Sequence, residues 1–194
     1  MSSDLITKLK QVKDFRTSDG QRHPLWIVLL IVLMGTMSGY IGYRALGDFV
    51  SRHHSALIEI LKIRKKRLPS YSTMRRVMMG IDFEEFVDLF NQWAAGEVEI
   101  EKNDWLAIDG KSIKGTVTQT FNQYQNFVSV VSVFSQQQGV VVSLAKLDNA
   151  QGSEIQTVQT LIQALRLEEV IFSLDALHCQ KKPRKRLSLV AMTT

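Results

Sequence analysis

Trp105-Leu106-Ala107-Ile108-Asp109-Gly110 and Val170-Ile171-Phe172-Ser173-Leu174-Asp175 are two short apolar runs, each closed by an aspartate. Between them lies Phe127–Phe134 (FVSVVSVF), β-branched and aromatic, with serines at 129 and 132. Gln136-Gln137-Gln138-Gly139 then reads as a hairpin turn, and Val140–Leu144 returns as a further strand. Ser153 with Gln156 forms a capping box for a helix with Ile155, Val158, Leu161, Ile162 and Leu165 on one face. The order is strand, strand, strand, helix, strand. It places both aspartates just past strand ends, and they meet at one edge if the two strands are neighbours in one sheet.

Upstream the apolar period is close to 3.6. Leu5, Ile6, Leu9 and Val12 make one helical face, and Pro24 opens a second helix, where its missing N–H costs nothing. Tyr43–Leu61 reads as one helix with Leu46, Phe49, Val50, Leu57, Ile60 and Leu61 inward. Ser70–Thr73 offers caps for a short helix carrying Arg75 and Arg76. Asp82 with Glu85 makes a capping box for the next helix, with Phe83, Phe86, Val87 and Phe90 inward and Gly96 at its end. The fold class is therefore α+β: a helical N-terminal domain over residues 1–96, then a sheet domain from 97, divided at the acidic stretch Gly96–Asp104.

A chain of 194 residues, 45% hydrophobic and with three prolines, can bury a real core and is not disordered. Its single cysteine, Cys179, excludes an internal disulfide and suits a reducing cytoplasm, and the N-terminus carries no secretory signal. The net charge of +5 sums three unlike segments. Residues 1–96 hold 14 Lys/Arg against 9 Asp/Glu, residues 97–180 hold 5 against 10, and residues 181–194 hold 5 and no acid. A basic N-terminal part suits a polyanion; an acidic middle suits one only where its carboxylates hold cations. Pro24–Tyr43 contains 20 residues without a charge, which a hydropathy window marks as a membrane span. Its second half carries Gly35, Gly39 and Gly42 and is less apolar, so a buried helix ending near Gly39 is the expectation.

Two carboxylates at one sheet edge repel each other unless a divalent ion lies between them. A pair of Mg²⁺ ions about 4 Å apart can activate a water or a 3′-hydroxyl at a phosphodiester. Spacing alone leaves another reading for Asp109 and Asp175, since aspartates also end strands as turn or cap residues. Lys62, Arg64, Lys65, Lys66 and Arg67, with Arg75 and Arg76 on the next helix, form either a phosphate-binding patch or a solvated loop. Lys111 and Lys114 beside Asp109 either hold a phosphate or pair with the carboxylates. His178 and Cys179 lack the second cluster that a zinc site needs. His53-His54 reads as a surface pair, and Met74, Met78 and Met79 as core.

Leu106–Gly115 (LAIDGKSIKG) followed by Asp175–Lys182 (DALHCQKK) resembles the insertion-sequence transposases of the H-repeat-associated, Rhs-linked type. Glu154-Ile155, after Lys146, resembles the stretch between those two motifs. Asp14-Phe15-Arg16 through Pro69-Ser70-Tyr71-Ser72-Thr73 resembles the helical domain that precedes the catalytic fold. The resemblance implies a ribonuclease-H-like domain over residues 97–182 with an Asp, Asp, Glu site for Mg²⁺ or Mn²⁺. Asp109 is then the first carboxylate and Asp175 the second, both as metal ligands and catalytic residues. It also implies transposon-end DNA as partner, in a homo-oligomer or beside an intact transposase.

The third carboxylate of such a site is expected on a helix well past Asp175. Residues 183–194 (PRKRLSLVAMTT) hold no acid and do not resemble the family's continuation. The adenine-rich codons of Gln180-Lys181-Lys182 suggest a frameshift, with 183–194 a basic, out-of-frame tail. A truncated and catalytically incomplete transposase is the resulting expectation. Its rivals are a non-catalytic DNA-binding protein that inhibits an intact relative, and a small membrane-associated protein built around residues 24–43.

Overall fold

A helix that is apolar on every side has no face to give to water, and Leu25–Met37 (α2) is such a helix. In the computed structural model it is the buried centre of a helical unit, with Val28, Leu29 and Ile31 almost wholly excluded from solvent. The structure describes residues 5–118, 126–148, 154–165, 167 and 169–174. Ser153 as a cap, Asp175, the motif residues after it and the basic tail 183–194 lie outside the described residues. Around α2 stand α1 (Leu5–Leu9), a 3₁₀ turn (Ser18–Gly20), α3 (Tyr43–Arg52), α4 (His54–Ile60), α5 (Tyr71–Gly80) and α6 (Phe83–Glu97). Leu9, Leu46, Phe49, Leu57, Met74 and Val77 close the core with it. None of the described helices is long and apolar enough to cross a membrane.

Gly39 ends α2 as its sequence position suggested. It takes a left-handed φ of +84°, the Tyr40 N–H reaches the Gly35 carbonyl at 2.9 Å, and the Gly39 N–H reaches Thr36 at 3.0 Å. Gly35 has a different reason. A Cβ there would lie 2.6 Å from Leu46 Cδ2 and 3.2 Å from Phe49 Cδ1, so its absence lets α3 approach the α2 backbone.

Four local expectations need correction. The single helix expected over 43–61 is two, because His53 leaves helical geometry (φ −103°, ψ 19°) between α3 and α4. At the start of α6 only half of the capping box forms. Asp82 Oδ1 accepts from the N–H groups of Glu84 (2.9 Å) and Glu85 (3.2 Å), but the Glu85 carboxylate accepts from the Lys13 N–H at 3.0 Å. Phe83 is exposed rather than inward. Met79 is likewise exposed, while Met74 is core.

The chain divides into two compact units between Leu89 and Phe90, inside α6. The second unit carries β1 (Trp105–Thr118), β2 (Asn126–Ser135), β3 (Val140–Asp148), α7 (Glu154–Leu165) and β4 (Ile171–Leu174). The sheet order is β3-β2-β1-β4, with β4 parallel to β1 and the other pairs antiparallel. This is a mixed sheet, and the chain is α+β. Leu106, Ile108, Val131, Val133, Val142 and Phe172 alternate onto one face, where Val158 and Leu161 of α7 complete the core.

β3 is an edge strand, and a side chain occupies part of its edge. Asn91 Nδ2 donates to the Leu144 carbonyl at 2.9 Å, while Asn91 Oδ1 accepts from the Leu144 N–H at 2.8 Å. One amide thus satisfies both backbone groups that a neighbouring strand would otherwise pair. Asn91→Ala is expected to cost about 1–3 kcal/mol, the penalty for stranding partly buried polar groups. A urea unfolding midpoint unchanged from wild type would contradict this.

Candidate functional site

β1 does not stop at Asp109, as its apolar run suggested. Ladder pairing with β2 continues through Asp109↔Ser132 and Lys111↔Val130 to Ile113↔Val128. Pairing with β4 ends at Ile108↔Leu174. Asp109 is therefore the first β1 residue past the described β4 pairing, in the interior of its strand. Alternation along β1 sets it on the face opposite Ile108, away from the core. Its carboxylate is exposed and has no hydrogen-bond or ionic partner among the described residues; only its backbone carbonyl is engaged, by the Ser132 hydroxyl at 3.5 Å. Lys111 is exposed on the same face and makes no ion pair with it among the described residues. Lys114 belongs to β1 by its backbone.

A free carboxylate inside a strand suits a hard cation better than it suits a cap, for a cap has a backbone N–H to accept from. Asp109 fits a metal site as one ligand. Leu174, which pairs with Ile108, is followed in sequence by Asp175, which lies outside the described residues. Among the described residues no cluster of three metal-ligating side chains occurs.

The helical unit gathers cations. α4 ends in a loop whose Lys62 (φ +51°) and Lys66 (φ +47°) are left-handed, so the basic run bends instead of extending. The Ile63 N–H reaches the Ile58 carbonyl at 3.0 Å and the Lys62 N–H reaches Glu59 at 3.2 Å, a helix-ending turn with lysine where glycine is usual. Lys62, Arg64, Lys65 and Arg67 line a cleft of about 730 Å³ with Arg22 and His23. Lys66 and Arg67 line a second, of about 640 Å³, with Arg44, Asp48 and His54. Arg67 also borders a third, of about 300 Å³, with Asp19, Arg22, His23, Thr73 and Arg76. Arg75 is exposed but lines none of these clefts.

Nothing in the local sequence marks Arg22 and His23 as site residues. Asp14-Phe15-Arg16 places them. Arg16 forms a two-pronged bond to Asp14, Nε to Oδ1 at 2.8 Å and Nη2 to Oδ2 at 2.7 Å, and also donates to the His23 carbonyl at 2.9 Å. The Arg16 hydrogen bond, opposed by partial burial, holds the Asp14 carboxyl below its ordinary value. The clamp fixes the turn that enters α2 and sets His23 between two clefts.

Residues 6–94 match the family model described as DDE_Tnp_1-associated. "Putative transposase YncI" of Escherichia coli O157:H7 is 27% identical over 179 residues, which is 91% of this chain and 44% of that protein. The chain is similar in sequence to transposases of the H-repeat-associated type. "H repeat-associated putative transposase YhhI" of Escherichia coli K12 is 25% identical over 177 residues, covering 91% of this chain and 46% of the relative. This chain thus spans about half the length of these relatives. A solved piggyBac transposase synaptic complex with hairpin DNA is 11% identical, covering 94% of this chain and 44% of that one, at a TM-score of 0.49, too low to bear on the fold. The family match covers nearly all of the helical unit, including the Asp14–Arg16 clamp, the basic loop and α5.

Proposed function

We propose that this chain acts on DNA in transposition, its helical unit docking on the phosphate backbone and its sheet unit contributing to phosphodiester cleavage and strand transfer. The gathering of Arg22, Arg67 and Arg76 with the 62–67 loop carries this reading, because clustered cations on one surface release counterions when they meet DNA. The sheet is then of the ribonuclease-H-like kind, with residues 1–96 as the DNA-associated domain and 97–182 as the catalytic one. Asp109 and Asp175 are its metal-ligating carboxylates. When bound, Mg²⁺ or Mn²⁺ supplies Lewis acidity toward the phosphodiester and its attacking oxygen. Lys111 and Lys114 neutralise the phosphate under attack. The setting is the cytoplasm, with transposon ends as substrate and a second copy or an intact relative as protein partner.

Titrating the full chain with duplex DNA at several salt concentrations tests the docking. Binding should weaken steeply as salt rises. Replacing Lys62, Arg64 and Lys65 with Gln should flatten the log–log slope by about one unit for each phosphate no longer neutralised. A salt-independent affinity, or an unchanged slope in the variant, removes the basic loop from the interface. The concentration of cations in the helical unit also favours a second reading, DNA binding without cleavage. That reading expects the same titration result and no nicking of duplex DNA in Mg²⁺.

A further inference from the structure

His23 is a largely buried histidine on the shared wall of two clefts. It is 8% exposed, yet its imidazole makes no hydrogen bond among the described residues, and it lines two clefts at once. With no partner among the described residues, the ring's nitrogens open to the clefts and are left to whatever enters them. The smaller cleft is bordered by Arg22, Arg67 and Arg76, with the Ser70 and Thr73 hydroxyls at the start of α5. The larger adds Lys62, Arg64 and Lys65. Asp19 is the one carboxylate lining either cleft among the described residues, and the Asp14 carboxylate is already engaged by Arg16. Cations far outnumber anions around the ring.

We propose that the cleft between His23, Arg67 and Arg76 holds a phosphate group, and that the His23 imidazole takes up a proton when the phosphate enters. This rests on the DNA-docking reading, and a phosphate of the nucleic-acid backbone is the occupant it favours. The charge balance supplies the coupling. With the cleft empty, burial first, then the neighbouring Arg22 and Arg16 cations, push the His23 pKa below the ordinary histidine value, so the ring is neutral at pH 7. An entering phosphate offsets those cations and accepts from the imidazole N–H. Both effects favour the charged ring. The neutral ring therefore acts as a proton acceptor that is filled only in the bound state, and binding tightens as pH falls.

The test follows the ring. Full-length protein labelled at histidine Cε1 is titrated with acid alone, with inorganic phosphate, and with a short DNA duplex, His23→Gln serving to assign the signal. The expected result is a His23 pKa that rises with the duplex. Arg76→Gln should abolish the rise, and the Lys62, Arg64, Lys65 triple Gln variant should keep it at a duplex concentration that restores saturation. Duplex affinity should increase by up to about tenfold per pH unit between the free and bound pKa values, and His23→Gln should remove that dependence. A rise with inorganic phosphate but not with duplex assigns the site to free phosphate and refutes the DNA source. A duplex that binds with normal salt dependence while His23 does not move overturns the proton linkage and leaves the docking reading intact. A rise that survives Arg76→Gln also overturns it, because the ring then senses only the diffuse field of the polyanion. Asp19→Asn supplies an independent check, since removing the opposing carboxylate should tighten phosphate binding severalfold.

Discussion

On the cleavage reading proposed above, Asp109→Thr is expected to abolish Mg²⁺-dependent cleavage of DNA while leaving the sheet as stable as before or slightly more so. Aspartate is a poor strand residue and threonine a good one, a difference worth up to about 1 kcal/mol in a host sheet. Asp109 sits opposite Ser132 in the interior of β1, exposed, with a carboxylate that has no partner among the described residues. Nothing in the fold is lost with it, whereas removing one group from a preorganised site costs on the order of 10³-fold in rate. The two measurements are a thermal midpoint and a nicking assay on the same preparation. A fall in the midpoint of several degrees would make Asp109 a structural residue after all. Wild type that does not nick, beside a duplex affinity that survives the substitution, would support the reading of DNA binding without cleavage.

Gly35→Val is expected to destabilise the helical unit by about 2–3 kcal/mol, the upper part of the range for overpacking a filled core. In an exposed helix the same change would help, because glycine is a poor helix former by about 1 kcal/mol. Here the added Cβ meets Leu46 Cδ2 at 2.6 Å, and Leu46 and Phe49 are both buried, so neither can turn away into solvent. Leu46→Ala alone should cost about 2–5 kcal/mol by leaving a cavity. The double variant should be less damaged than the sum, as the valine fills part of the space that Leu46 vacates. Additive losses in urea titrations would show that α2 and α3 are not held together at this point.

The helices were legible because helix period and burial agree. α5 buries Met74 and Val77, α6 buries Val87 and Ala94, and Ser70 caps α5 by accepting from the Thr73 N–H. The buried centre was legible as well, since the glycines and weaker hydropathy of the second half of the charge-free run favoured a buried helix over the membrane span that the run also offered. Asp109 was found as a residue but misplaced within its strand. The apolar run ends at Ile108, whereas the ladder to β2 runs on through polar residues that the hydropathy pattern does not mark. The Asn91–Leu144 bond joins residues 53 apart, and no local pattern announces it. Arg22 and His23 gain their meaning only when Arg16 folds back onto the His23 carbonyl. Asp14-Phe15-Arg16 was the trace of that event in the sequence, read as a resemblance rather than as a clamp.

The lysine in the turn after α4 has a consequence for anyone who redesigns this protein. Lys62 holds a left-handed conformation that glycine would adopt freely, and that misfit costs about 1 kcal/mol. A procedure that optimises stability will write glycine there and record an improvement. It will at the same time delete a cation from the wall of the 730 Å³ cleft. On the DNA-docking reading proposed above, a thermostable version chosen without a binding assay would fold better and hold its polymer less.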